Sequence, residues 1–261
     1  MESSQRGATV RSAAAGRTPQ GQPVGSFSQF GAGSGGVGSA VSSVALERGL
    51  GVSLDLVRRS VSSGLRSCLA WIFGHSYVYW GALRADVRRS GRQLGFQPDE
   101  LQVRWIGVRG MLWGRVLPEF HAFVSLDRCP DIVVFHVGGN DLGVRRSRDV
   151  IRDIKLDLLR LMEEFPDLLV VWSEVVARSS WRFARSVDRI NKARAKLNKE
   201  VGRFVRRQGG FVVRHRELEV ASPQFLRSDG VHLNEIGIDL WALGLQDGLE
   251  TAFRVWRDAH R

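Results

Sequence analysis

From about Leu69 onward, short apolar, β-branched runs alternate with longer segments in which apolar residues return every three or four positions. The short runs have the length of strands, and they are apolar enough to be covered on both faces, as the strands of a parallel sheet are. They predict strands at Leu69 to Phe73, Gln102 to Ile106, Ile132 to Val137, Leu168 to Trp172 and Gly210 to Arg214. The longer segments predict helices near Trp80 to Leu94, Val116 to Ser125, Arg148 to Phe165, Trp181 to Arg207 and Asn234 to about Trp256. Strand and helix in alternation is the mark of βαβ units. The expected fold is therefore α/β: a five-stranded, mostly parallel sheet between helices, a three-layer α/β/α sandwich over residues 68–261.

Ahead of that domain the pattern is different. Residues 1–45 are dominated by Gly, Ser, Ala and Gln, and from Gly31 to Ser43 nearly every side chain is small. Such a stretch buries too little to offset the entropy of ordering it, so it reads as a flexible tail. Residues 46–67 form a lead-in, with helical spacing at Leu50, Leu54 and Val57. The spacing leaves open whether this segment packs on the domain or only leads into it.

Among the helices, Trp181 to Arg207 is the most regular. Phe183, Val187, Ile190, Leu197, Val201 and Phe204 lie close to one face. The other faces carry ten basic residues: Arg182, Arg185, Arg189, Lys192, Arg194, Lys196, Lys199, Arg203, Arg206 and Arg207. With a net charge of +11, this row raises nucleic acid as a partner, because clustered cations release counterions from phosphate. Only four of the thirty-eight basic residues are lysines, however, and an arginine bias of this kind accompanies GC-rich coding. A solvated basic surface is the plainer expectation, and nucleic acid the less favoured partner.

A chain of 261 residues has room for one α/β domain and a tail. Cys68 and Cys129 lie far apart, which gives neither a disulfide framework nor a CxxC site and points to a reducing compartment. No apolar run approaches the ~20 residues of a membrane span, and the first thirty residues lack the pattern of a signal peptide. The expectation is an intracellular protein, cytoplasmic or nuclear, that does not engage membranes. His121, His136 and His215 show no metal-ligand spacing and are read as structural, with no cofactor expected.

In open α/β sheets ligands sit beyond the carboxyl ends of the strands. The first strand runs into Gly74-His75-Ser76, which sets a hydroxyl at the head of the next helix, where developing negative charge is stabilised. The second leads to Gly107-Val108-Arg109-Gly110, and the third ends in Gly138-Gly139-Asn140-Asp141. A backbone N–H at Gly110 and the side-chain amide of Asn140 are candidate donors to an oxyanion. Asp229-Gly230-Val231-His232 precedes the last helix, and the turn at Gly230 lets the carboxylate reach the imidazole and fix its tautomer. Glu174, Arg178, Trp181 and Arg182 follow the fourth strand and are expected on the same rim, as walls of a pocket in which Arg178 meets an anionic substrate.

Taken together, the order and placement of these residues resemble the SGNH, or GDSL-like, hydrolases over about Ala70 to Trp241. The resemblance implies a flavodoxin-like sandwich that hydrolyses small esters without a metal. It assigns Ser76 as nucleophile, His232 as general base, Asp229 as its orienting partner, and Gly110, Asn140 and the Ser76 amide as oxyanion donors. Arg178 and Trp181 become the expected substrate contacts. Stretches such as Trp71-Ile-Phe-Gly-His-Ser-Tyr-Val, Gly138-Gly-Asn-Asp-Leu-Gly and Asp229-Gly-Val-His-Leu also resemble a subgroup of vertebrate proteins, some derived from transposable elements. One departure stands out: the family has Asp before its nucleophile, and here that position is His75. Reduced or altered activity is the expectation that follows.

Two rivals remain at this level. An α/β-hydrolase would carry Gly at the fifth position of its Gly-x-Ser-x-Gly elbow, where this chain has Val78. The other is a module that keeps the fold with weakened chemistry and binds nucleic acid through the basic helix.

Overall fold

The structure, a computed structural model, describes residues 67–261. The tail over 1–45 and all but the last residue of the lead-in over 46–67 lie outside the described residues. Five strands, β1 (Cys68–Gly74), β2 (Leu101–Gly107), β3 (Ile132–His136), β4 (Leu169–Ser173) and β5 (Phe211–Val213), form one sheet in the order β2-β1-β3-β4-β5. Every pairing is parallel, so the expected mostly parallel sheet is parallel throughout. Five α-helices cover it: α1 (Ser76–Ala85), α2 (Val116–Leu126), α3 (Ser147–Glu164), α4 (Val187–Arg207) and α5 (Glu235–Ala259).

Strand periodicity explains the layering. Successive side chains point to opposite faces, so a strand apolar at every position must be covered twice. In β1, Leu69, Trp71 and Phe73 pack with α2, α3 and α4, while Ala70 and Ile72 pack with α1 and α5. Edge strand β2 shows the complementary case, with Leu101, Val103 and Ile106 buried and Arg104 exposed.

Two helix starts differ from the sequence pattern. The helix expected from Trp80 begins at Ser76 and stops at Ala85, after which the chain turns through Leu94, Gly91 and Gly95, all at positive φ. The helix expected from Trp181 begins at Val187, because Ser186 caps it by accepting from the Arg189 amide, and residues 181–186 form an irregular loop. The consequence for the basic row is direct. Arg182 and Arg185 precede the helix, and Arg194 is buried, donating to the carbonyls of Val175 and Glu219. Lys155 and Arg203 both pair with Glu200 on α4. The continuous ten-residue stripe is not formed.

The chain order reverses at β1, with β2 on one side and β3 on the other. Ligands of open parallel sheets bind at such a crevice. Here the two strand ends are held very close, since a Cβ on Gly74 would lie 2.1 Å from the His136 carbonyl oxygen. The His75 amide donates to that same oxygen at 3.3 Å. Among the described residues no helix is long and apolar enough to cross a membrane.

Candidate active site

At the head of α1, His75 is the cap, and its Nδ1 accepts from the Tyr77 amide at 3.3 Å. Ser76 is therefore the first helical residue, and its own N–H has no partner among the described residues. Its hydroxyl Oγ lies 3.1 Å from Nε2 of His232. The other ring nitrogen of His232 meets Asp229 Oδ2 at 2.7 Å, and Asp229 Oδ1 accepts from the amides of Val231 and His232 at 2.8 and 2.9 Å. Gly230 turns this loop at φ +66°, and a Cβ there would come within 2.4 Å of Ser179 Oγ. Partial burial by itself would raise the Asp229 carboxyl; the hydrogen bonds from the His232 ring and from the two amides outweigh it and bring the pKa down to about 2. Asp229 is thus ionised at neutral pH, and as an acceptor it favours a proton on the ring nitrogen that faces it, Nδ1, with Nε2 turned toward Ser76.

Across the crevice, Asn140 donates through Nδ2 to the Met111 carbonyl at 3.1 Å and accepts at Oδ1 from Arg178 Nη1 at 3.2 Å. An arginine can only donate, so Arg178 fixes which end of the amide is oxygen and leaves the second N–H of Nδ2 for the cleft. Gly139 permits this approach, because a Cβ there would lie 3.0 Å from Arg178 Nη2. Gly110 is exposed at φ +72°, and its N–H has no partner among the described residues. The loop that carries it is tied to β3 by Asp141, whose buried carboxylate accepts from the Trp113 amide at 2.9 Å. Burial raises the Asp141 carboxyl. In the sequence this tie shows only as an acid that follows Gly138-Gly139-Asn140.

These groups share a cleft of about 820 Å³ lined by Ser76, Gly110, Asn140, Arg178, Trp181 and His232, with Trp80, Arg109, Leu112, Leu142, Arg182 and Phe183 around them. Arg178 and Trp181 thus reach the expected rim, but Arg178 is only 4% exposed and is engaged by Asn140 and by the rings of Tyr77 and Trp181. Glu174 does not line the cleft; it faces Arg214 at 3.5 Å, and burial raises its pKa. A second cleft of about 400 Å³ beside β2, lined by Trp71, Arg92, Arg104 and Trp105, holds none of the candidate residues.

Beneath the cleft lies a polar group that the sequence did not reveal. His136 Nδ1 meets Ser173 Oγ at 2.9 Å, and the same hydroxyl meets His215 Nε2 at 2.8 Å, all three residues being buried. The His75 ring stands 5.0 Å from that of His136, and Tyr77 stacks on His136. Burial depresses His75, with Arg178 and His232 adding to the effect. Burial also depresses His136, and it brings His215 to about 3. Of the three histidines read as structural, His136 and His215 are buried in this cluster, and His121 is half-buried and pairs with Glu164 at 2.8 Å. Among the described residues no group of three or more His, Cys, Asp or Glu could hold a metal ion.

Solved structures share this architecture over most of their length. A GDSL-like lipase from Bacteroides thetaiotaomicron matches with a TM-score of 0.56 at 15% identity, covering 77% of this chain and 96% of that one. The fold is that of GDSL-like hydrolases. A lipase/acylhydrolase from Enterococcus faecalis follows at 0.52 and 22% identity, covering 72% and 96% of the two chains. A family 3 carbohydrate esterase from Clostridium thermocellum aligns at 0.53 and 14%, over 73% and 98%. No protein-family model matches the sequence, and no curated protein does either.

Proposed function

We propose that this GDSL-like fold hydrolyses esters through a serine nucleophile and an acyl-enzyme intermediate. The observation that carries the proposal is the chain of distances from Ser76 Oγ to His232 Nε2, 3.1 Å, and from His232 Nδ1 to Asp229, 2.7 Å. His232 takes the hydroxyl proton as Ser76 attacks the ester carbonyl, and Asp229 stabilises the imidazolium that forms. The oxyanion is received by the amides of Ser76 and Gly110 and by Asn140 Nδ2, the first of these at a helix N-terminus where the backbone dipole favours negative charge. His232 then returns the proton to the leaving alcohol, and water repeats the cycle to release the acid. Esterase and lipase names among proteins of like fold agree with this chemistry.

His75 replaces the acid usual before the nucleophile, and its Nδ1 supplies the helix cap from a neutral ring. The test is labelling with a fluorophosphonate probe together with turnover of p-nitrophenyl esters of rising chain length. Wild type is expected to label and to turn over, and Ser76→Ala to do neither. Equal labelling of the two proteins would remove Ser76 from the role.

A further inference from the structure

We propose that the ester taken by this cleft carries an anionic group, a carboxylate or a phosphate, apart from the bond that is cleaved, and that Arg109 and Arg182 read it. The inference rests on the ester hydrolase proposal and adds the class of substrate. Three arginines line the cleft, Arg109, Arg178 and Arg182, and no carboxylate does. Arg178 donates from Nη1 to Asn140 and is almost wholly buried, so the solvent-facing cations are Arg109 and Arg182. The other two are exposed and make no ion pair or side-chain hydrogen bond among the described residues. Unpaired arginines also stand at the surface elsewhere among the described residues, as at Arg89, Arg146 and Arg189, but none of those lines this cleft, where two converge with no acid among the lining residues.

The manner in which the two are held points the same way. The Arg109 guanidinium lies over the rings of Tyr79 and Trp80, 5.6 and 5.9 Å from their centroids, and Arg182 lies over Phe183 at 4.9 Å. Stacking occupies the face of a guanidinium and leaves its in-plane N–H fork for a carboxylate or phosphate, with less rotamer entropy still to lose. Phe183 itself sits at φ +61° and is 69% exposed, an unfavoured backbone state for a bulky residue. Apolar walls at Leu112, Leu142 and Trp181 reduce screening between cation and ligand, so an anion bound among them is attracted more strongly than at open surface.

Two matched ester pairs test this, one charged on the acyl side and one on the alcohol side. The first is the p-nitrophenyl monoester of adipic acid against p-nitrophenyl hexanoate; the second is p-acetoxybenzoate against phenyl acetate. The readout is the ratio of kcat/KM for the charged ester over the neutral one. In wild type this ratio is expected above unity for at least one pair at low salt and to fall as salt rises. It should drop about tenfold in the double variant Arg109→Gln/Arg182→Gln, on the scale of one desolvated charge-assisted contact. The charge control Arg254→Gln, on α5, is expected to leave it in place. A ratio that the double variant does not move, with labelling of Ser76 retained, overturns the anion proposal alone. Absence of both labelling and turnover overturns the esterase proposal, and this one with it.

Discussion

Among the described residues two serine hydroxyls meet histidine rings at hydrogen-bonding distance, Ser76 with His232 at 3.1 Å and Ser173 with His136 and His215 at 2.9 and 2.8 Å. By distance alone the second cluster is the better made. Yet it is buried, no carboxylate among the described residues orients either ring, and burial depresses both imidazoles, which keeps them neutral at pH 7. Ser76 opens on a cleft, its histidine is held by an ionised acid, and amides without partners stand at its side. A serine beside a histidine is therefore no evidence of chemistry by itself. The surroundings decide: access for substrate, an anion to hold the tautomer, and donors where charge will develop.

The largest expected effect separates the two serines. Ser76→Ala should lower ester turnover by at least about 10⁴-fold, as loss of a nucleophile does elsewhere. Ser173→Ala should retain probe labelling while losing about 1–3 kcal/mol in urea denaturation, because two buried imidazoles lose their shared partner. Loss of labelling in Ser173→Ala with the fold intact would erase the contrast. Next comes Asp229→Asn, which keeps the shape but no longer selects the tautomer; a fall of about 10³–10⁴ in kcat is expected, and a change below tenfold would show that the ring is oriented by other means. Asn140→Ala should cost about 10²–10³ in kcat if Nδ2 meets the oxyanion.

The buried cluster should also register in stability against pH. The unfolded chain binds protons to His75, His136 and His215 near their ordinary 6.5, and the folded chain refuses them. Stability is therefore expected to fall from about pH 7 toward pH 5, by up to about 1.4 kcal/mol per pH unit for each ring inside its window. Asp229, with its depressed pKa, acts lower, stabilising above 3.8 and losing that contribution as pH falls through about 2. Urea midpoints at pH 7, 6 and 5 measure the upper window, and His215→Gln should flatten the slope. The smallest effect is expected from His75→Asp. The sequence pattern makes this position a source of reduced activity, but His75 Nδ1 already supplies the cap to the Tyr77 amide, so kcat should change less than tenfold, and a larger rise would give position 75 a part beyond capping.

The expected strand cores and helix order all appear, because buried parallel strands leave an apolar run that sequence displays directly. Ser76, Asp229 and His232 were legible through the local turns that present them. What sequence concealed depends on contacts between distant segments. Positions 136, 173 and 215 share a hydrogen-bonded cluster that no spacing encodes. Arg194 sits in a basic row and is nevertheless drawn inward by the carbonyls of Val175 and Glu219, because only folding brings those acceptors together. Arg178, expected as a substrate cation, lines the cleft and also donates to Asn140, a partner 38 residues away in sequence that no local pattern reveals. Phe183 suggested an apolar helix face, and the cap at Ser186 removes it from the helix altogether.

The carbonyl of Gly230 accepts from the amides of Ser179 and Ser180 at 2.9 and 3.0 Å. Through that one oxygen, the segment that orients Asn140 is fastened to the segment that carries His232. The position of the oxyanion amide and that of the histidine ring are thereby fixed against a common backbone atom.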